Sequence, residues 1–117
     1  MIRFISLVLL ALAIQACSNY PEISGFDKEK WLKSEVCSKE KVALAKLIEA
    51  NESKLLSYTQ PDIEALLGLA PRHELFNRNE KFFYYPIEKD CPGSVDRSLF
   101  FRFDALGRTK EVIIVFD

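Results

Sequence analysis

The sequence predicts an α+β domain behind an export signal, on three observations. Apolar residues recur at helical spacing as far as Pro71, the pattern turns alternating or continuously aromatic after it, and the first sixteen residues have the composition of a leader.

Met1-Ile2-Arg3 is a short cationic start, Phe4 to Ile14 is apolar except for Ser6, and Gln15-Ala16-Cys17 closes the segment. A permanent membrane-crossing helix takes about 20 apolar residues, so this stretch is expected to be a cleaved signal. The cysteine directly after the small residue makes Ile14-Gln15-Ala16-Cys17 resemble the bacterial lipobox. That resemblance implies a diacylglycerol thioether on Cys17 and cleavage before it; the alternative is a plain secretory peptide cut near Ala16. Two or three acyl chains at roughly 0.8 kcal/mol per buried methylene anchor a protein stably, whereas one does not. The expected organisation is residues 1–16 as lipoprotein signal, 17–26 as a tether containing Pro21 and Gly25, and 27–117 as one domain.

Removing residues 1–16 takes away Arg3 and no acid, leaving 15 basic against 17 acidic side chains. Nucleic-acid binding depends on clustered cations. Here Lys and Glu alternate, as in Lys28-Glu29-Lys30 and Lys39-Glu40-Lys41, which reads as solvated helix surface. In an exported protein Cys37 and Cys91 have only each other once Cys17 is acylated, and a disulfide between them is the economical expectation. A thiol redox site is the alternative, but no Cys-x-x-Cys spacing is present. One histidine and two distant cysteines fall short of a tetrahedral metal site, so neither metal nor cofactor is expected.

Along the domain, Lys28 to Leu32 reads as a short helical turn whose Trp31 is an anchor in the core or, alternatively, at a partner interface. Ser38 is a candidate cap for a long amphipathic helix reaching about Ser57, with Leu44, Leu47, Ile48 and Leu55 as its apolar residues. Thr59 or Gln60 caps a second helix, with Pro61 and Asp62 in its first turn, Ile63, Leu66 and Leu67 as its buried stripe, and Gly68 as its stop. Glu74-Leu75-Phe76 reads as a first strand, Asn77 to Glu80 as a turn, and Lys81 to Tyr85 as a strand ended by Pro86. Leu99, Phe101 and Phe103 alternate with Phe100, Arg102 and Asp104, which marks a sheet with one covered face and one wetter face. Ala105 to Arg108 is a hairpin turn, and Thr109 to Phe116 is a β-branched final strand. Of its two registers, the favoured one sets Arg102 against Glu111 and Phe101 against Val112; the slipped one sets Arg102 against Lys110.

Three phrases in order, Asp62 to Gly68 with Pro71, then Tyr84-Tyr85, then Phe103-Asp104 with Gly107-Arg108, resemble the small SmpA/OmlA, or BamE-like, lipoproteins over about residues 58–115. The resemblance implies two helices packed on one face of a three- or four-stranded antiparallel sheet, a β-lactamase-inhibitor-like layout. It also implies a lipid-anchored, non-enzymatic role at the outer membrane, facing the periplasm, in β-barrel protein assembly through binding to other assembly subunits. The long charged helix region and the expected Cys37–Cys91 bridge depart from that pattern.

The leading functional expectation is therefore a binding module, with Tyr85, Phe100 and Arg102 as candidate partner-binding residues, because aromatics and arginine are enriched at interface anchors. An inhibitor- or exclusion-type periplasmic lipoprotein that binds a single enzyme or other target is the alternative. Catalysis is disfavoured: no Gly-x-Ser-x-Gly elbow or phosphate loop occurs, His73 is solitary, and Asp90 with Asp96, a loop pair able to hold Ca²⁺ or act as acid and base, is of a kind that is usually just solvated.

Overall fold

The computed structural model describes residues 21–75 and 79–117. The expected signal segment, Cys17 and the first tether residues lie outside the described residues, as do Phe76, Asn77 and Arg78 at the end of the expected first strand and the start of its turn. The described chain is α+β: helices α1 (Lys28–Lys33), α2 (Lys39–Ala50), α3 (Glu52–Leu55) and α4 (Gln60–Leu67) precede strands β1 (Arg72–Leu75), β2 (Lys81–Glu88), β3 (Arg97–Phe103) and β4 (Thr109–Phe116). The strands form one antiparallel sheet in the order β1-β2-β3-β4. None of the described helices is long and apolar enough to cross a membrane.

Helix ends sit where local chemistry stops or starts them. Ser38 accepts from the Lys41 amide, and Thr59, not Gln60, caps α4 through a reciprocal box with Asp62. Gly68 closes α4 at φ 84°, a conformation that glycine takes without a Cβ penalty. The long helix expected to reach Ser57 breaks at Asn51, whose side-chain amide donates to the Leu47 carbonyl, so α3 is a separate turn. Asparagine competes for backbone partners in this way.

One face of the sheet carries the core. Phe83, Tyr85 and Ile87 of β2, Leu99, Phe101 and Phe103 of β3 and Val112 of β4 are buried under Leu44, Ala45, Ile48, Leu55, Ile63, Leu66 and Leu67 from the helices. Trp31 is buried at the side of this layer and its Nε1 donates to the Leu67 carbonyl at 3.0 Å, which makes it a core anchor. Lys41 places its Nζ 3.8 Å from the Trp31 ring centroid and donates to the Trp31 carbonyl at 2.7 Å; desolvation holds its pKa below the ordinary lysine value.

Two differences from expectation have physical causes. β2 runs through Pro86 to Glu88, because the missing amide of Pro86 falls beyond the end of β1, and Ile87 is an extra residue bulged against β3. The tether expected over residues 17–26 lies on the domain from Pro21 onward. Pro21 and Ile23 are buried, and the Phe26 amide donates to the Ile23 carbonyl, since Ile23 and Phe26 supply apolar surface to the core.

The β3–β4 register is the one favoured from charge pairing, with Arg102 opposite Glu111 and Phe101 opposite Val112. The hairpin turn is held by Asp104, whose Oδ1 accepts from the Leu106 and Arg108 amides at 2.9 and 3.0 Å, while Gly107 takes φ 79°. Cys37 and Cys91 form a disulfide that ties the loop after β2 to the residue before the α2 cap.

Closing a loop of 54 residues stabilises a fold by about 4 kcal/mol in the chain-entropy treatment. Replacing both Cys37 and Cys91 with serine is expected to remove a comparable amount, measured by urea unfolding against the oxidised chain. A second expectation concerns pH. The Arg108 amide, first among several donors and cations, holds Asp104 below the ordinary aspartate range. Its contribution is then full above about pH 4 and lost as the pH falls through the lower folded value. Thermal midpoints of wild type and Asp104→Asn should differ at neutral pH and converge on acidification.

Candidate functional site

Alternation along the strands leaves a second face that none of the described helices covers. β2 presents Phe82, Tyr84 and Pro86 there, β3 presents Ser98, Phe100 and Arg102, and β4 presents Glu111, Ile113 and Val115. β1 adds Arg72 opposite Tyr84 and Glu74 opposite Phe82. The result is an aromatic centre with a charged border.

At the centre, the Phe100 ring lies 5.2 Å from both Phe82 and Tyr84, tilted against each. All three rings are half-buried by one another, and Ile113 beside Phe100 is 40% exposed. On one border the Arg72 guanidinium lies 3.7 Å from the Tyr84 ring centroid, a cation–π contact. On the other, Arg102 sits between two acids, with Nε 3.7 Å from Glu111 and Nη1 4.0 Å from Glu80. These pairs are partly exposed and contribute little to stability.

One end of the face deepens into a cavity of about 260 Å³ lined by Arg72, Tyr84, Pro86, Ser98, Lys89 and Asp117 among others. Ser98 donates to the Asp117 carboxylate there, and Arg72 lies 3.6 Å from the same side chain. Arg72 and Asp117 are thus paired with each other within the cavity.

Of the three residues expected to meet a partner, Phe100 and Arg102 share this face and Tyr85 does not. Tyr85 is 3% exposed on the covered face, with its ring edge-on to Phe101 and Trp31 and its hydroxyl donating to the Gly68 carbonyl at 2.8 Å. Burial, with the charge of Glu64 adding to it, raises its pKa well above the ordinary tyrosine value. The residue on the open face is its neighbour Tyr84, and Phe82 accompanies it. Alternation could have distinguished the two tyrosines, because Phe101 and Phe103 mark the covered side and Tyr85 pairs with Leu99 of the same side.

The other chemistry-bearing residues do not converge. His73 lies on β1 with its ring 6.0 Å from Phe83, and its side of the strand is opposite to that of Arg72. Asp96 accepts from the Asp90 amide at 3.0 Å, so this loop pair closes its own turn. Among the described residues there is no group of three or more His, Cys, Asp or Glu placed to hold a metal ion. Cys37 and Cys91 are joined at the far end of β2, with Cα atoms 5.8 Å apart, and Cys17 lies outside the described residues.

The placement of Tyr85 predicts a structural phenotype. Tyr85→Phe leaves the part-buried Gly68 carbonyl without its donor and should cost about 0.5–1.5 kcal/mol of stability. Tyr84→Phe should cost less than about 0.5 kcal/mol, as expected for a surface change away from special features. Paired chemical unfolding of the two variants checks the assignment of faces.

No protein-family model matches this chain, and the searches of curated proteins and of solved structures returned no match either.

Proposed function

We propose that this protein is a lipid-anchored, non-enzymatic envelope component that binds other proteins through the open sheet face. The observation that carries this reading is the cluster of Phe82, Tyr84 and Phe100 with Ile113, flanked by Arg72 and Arg102. A half-buried aromatic group with a polar rim has the anatomy of a protein-recognition surface. Large apolar residues on an uncovered face mark such surfaces more often than they mark plain solvent-facing sheet.

Within that reading, the chain is a BamE-like lipoprotein anchored at Cys17, with a β-lactamase-inhibitor-like layout, supporting β-barrel protein assembly at the outer membrane. The order of phrases supports it: Leu66-Leu67-Gly68 ends α4 with both leucines buried, Tyr84-Tyr85 lies in β2, and Asp104 with Gly107-Arg108 builds the hairpin turn. Each phrase has a structural role, so the phrases argue for the layout more strongly than for the partner.

Two measurements on the full-length chain test the proposal. Affinity purification from crosslinked cells should recover β-barrel assembly subunits, and Phe100→Ser or Arg102→Glu should cut their yield about tenfold or more, the scale of a single interface anchor. A single co-purified enzyme would instead favour the inhibitor-type reading, and unchanged yields would remove the open face from it. Intact mass should show two or three acyl chains at residue 17; an unmodified chain would remove the anchor.

A further inference from the structure

The two outer edges of the sheet are treated differently. On β4, the Val112 amide donates to Glu52 at 2.8 Å and the Ile114 amide to Glu49 at 2.6 Å, while Thr109 exchanges main-chain bonds with Ser57 and Tyr58. Helix carboxylates and a crossing segment thus occupy that edge. All four residues of β1 are exposed, and among the described residues no hydrogen bond is made along its outer side.

The capped amides also fix which way every other strand residue points. With Val112 and Ile114 directed outward, Glu111 and Ile113 bond to Arg102 and Phe100; alternation then turns Phe101 and Leu99 toward β2, and Phe82 and Tyr84 toward β1. Glu74 and Arg72 answer those two residues. His73 and Leu75 are therefore the positions whose N–H and C=O face away from the sheet.

We propose that β1 pairs with β1 of a second copy of this chain, antiparallel about a two-fold axis at His73, joining two four-stranded sheets into one of eight strands. In that register the two His73 backbones exchange both hydrogen bonds, and Arg72 of each copy lies opposite Glu74 of the other on the open face. Within one copy these two side chains are 3.4 Å apart and each is about half exposed, at 51% and 52%, so both are accessible to the opposite charge across the axis. Shifting the axis to Arg72 or to Glu74 sets identical charges against each other, which disfavours both neighbouring registers.

Apolar surface agrees with the same axis. Leu75 is 77% exposed and falls opposite Pro71 of the second copy. Such isologous pairing by edge-strand addition uses one patch twice. A free peptide strand of another protein would gain the backbone bonds but not the reciprocal Arg72 and Glu74 pairs.

Charge exchange tests this directly, by sedimentation of the purified full-length chain in density-matched detergent. Wild type should dimerise reversibly, and Arg72→Glu or Glu74→Arg alone should each weaken dimerisation about tenfold or more, because two like pairs then face each other. An equimolar mixture of the two variants should dimerise again, since all cross-axis pairs become unlike, and proteins that had failed to fold could not regain pairing. His73→Pro, which removes an outward amide and leaves the bonds to β2 intact, should also weaken the dimer about tenfold or more. A wild type monomeric up to about 100 µM, single variants that dimerise like wild type, or a mixture no more associated than its components would each overturn the proposal.

Discussion

The fold depends on the two-residue period of β2 and β3. Phe83, Tyr85, Leu99, Phe101 and Phe103 all turn to one side and interlock, with Phe83 and Phe103 centroids 4.7 Å apart and Tyr85 and Phe101 5.8 Å apart. A slip of one residue in β3 would carry Arg102 into this layer and expel Phe101 and Phe103, so the pairing is held by burial as well as by hydrogen bonds. The helices follow from that choice. Their apolar stripes have only one face of the sheet to cover, and the remaining face is left to Phe82, Tyr84 and Phe100.

Elements with a local cause were legible in the sequence. Ser38, Thr59 and Gly68 delimit helices through bonds made within a few residues, and the Asp104 to Arg108 turn closes on itself. The Arg102–Glu111 register could be read because only one alignment sets unlike charges opposite. The Cys37–Cys91 bridge followed from counting. What stayed hidden depends on contacts distant in sequence. Pro86 belongs to a strand because β1 has ended beside it, and Ile23 is buried because the helical layer leaves room for it. Asn51 interrupts a run whose spacing alone continues the helix.

The site was half legible for the same reason. Alternation within β3 sets Phe100 and Arg102 on the open face, but residue type alone points to Tyr85, and only alternation carried across to β2 separates it from Tyr84. A tyrosine hydroxyl reaching a helix-terminal carbonyl serves packing, whereas the ring next to it in the chain meets solvent. Two adjacent residues of one type thus divide into fold and surface. The division separates the interlocked layer from the open surface, so substitutions on the open face leave that layer undisturbed.

The break at Asn51 has a consequence for how large an assembly could grow. It sets α3 apart from α2, and each segment lends one glutamate to the rim of β4. A fibre propagates only when a subunit is adhesive at both rims, as stacking strands in amyloid are. With one rim closed by its own carboxylates, the subunit is a chain terminator by construction: whatever docks at the other rim ends the polymer there.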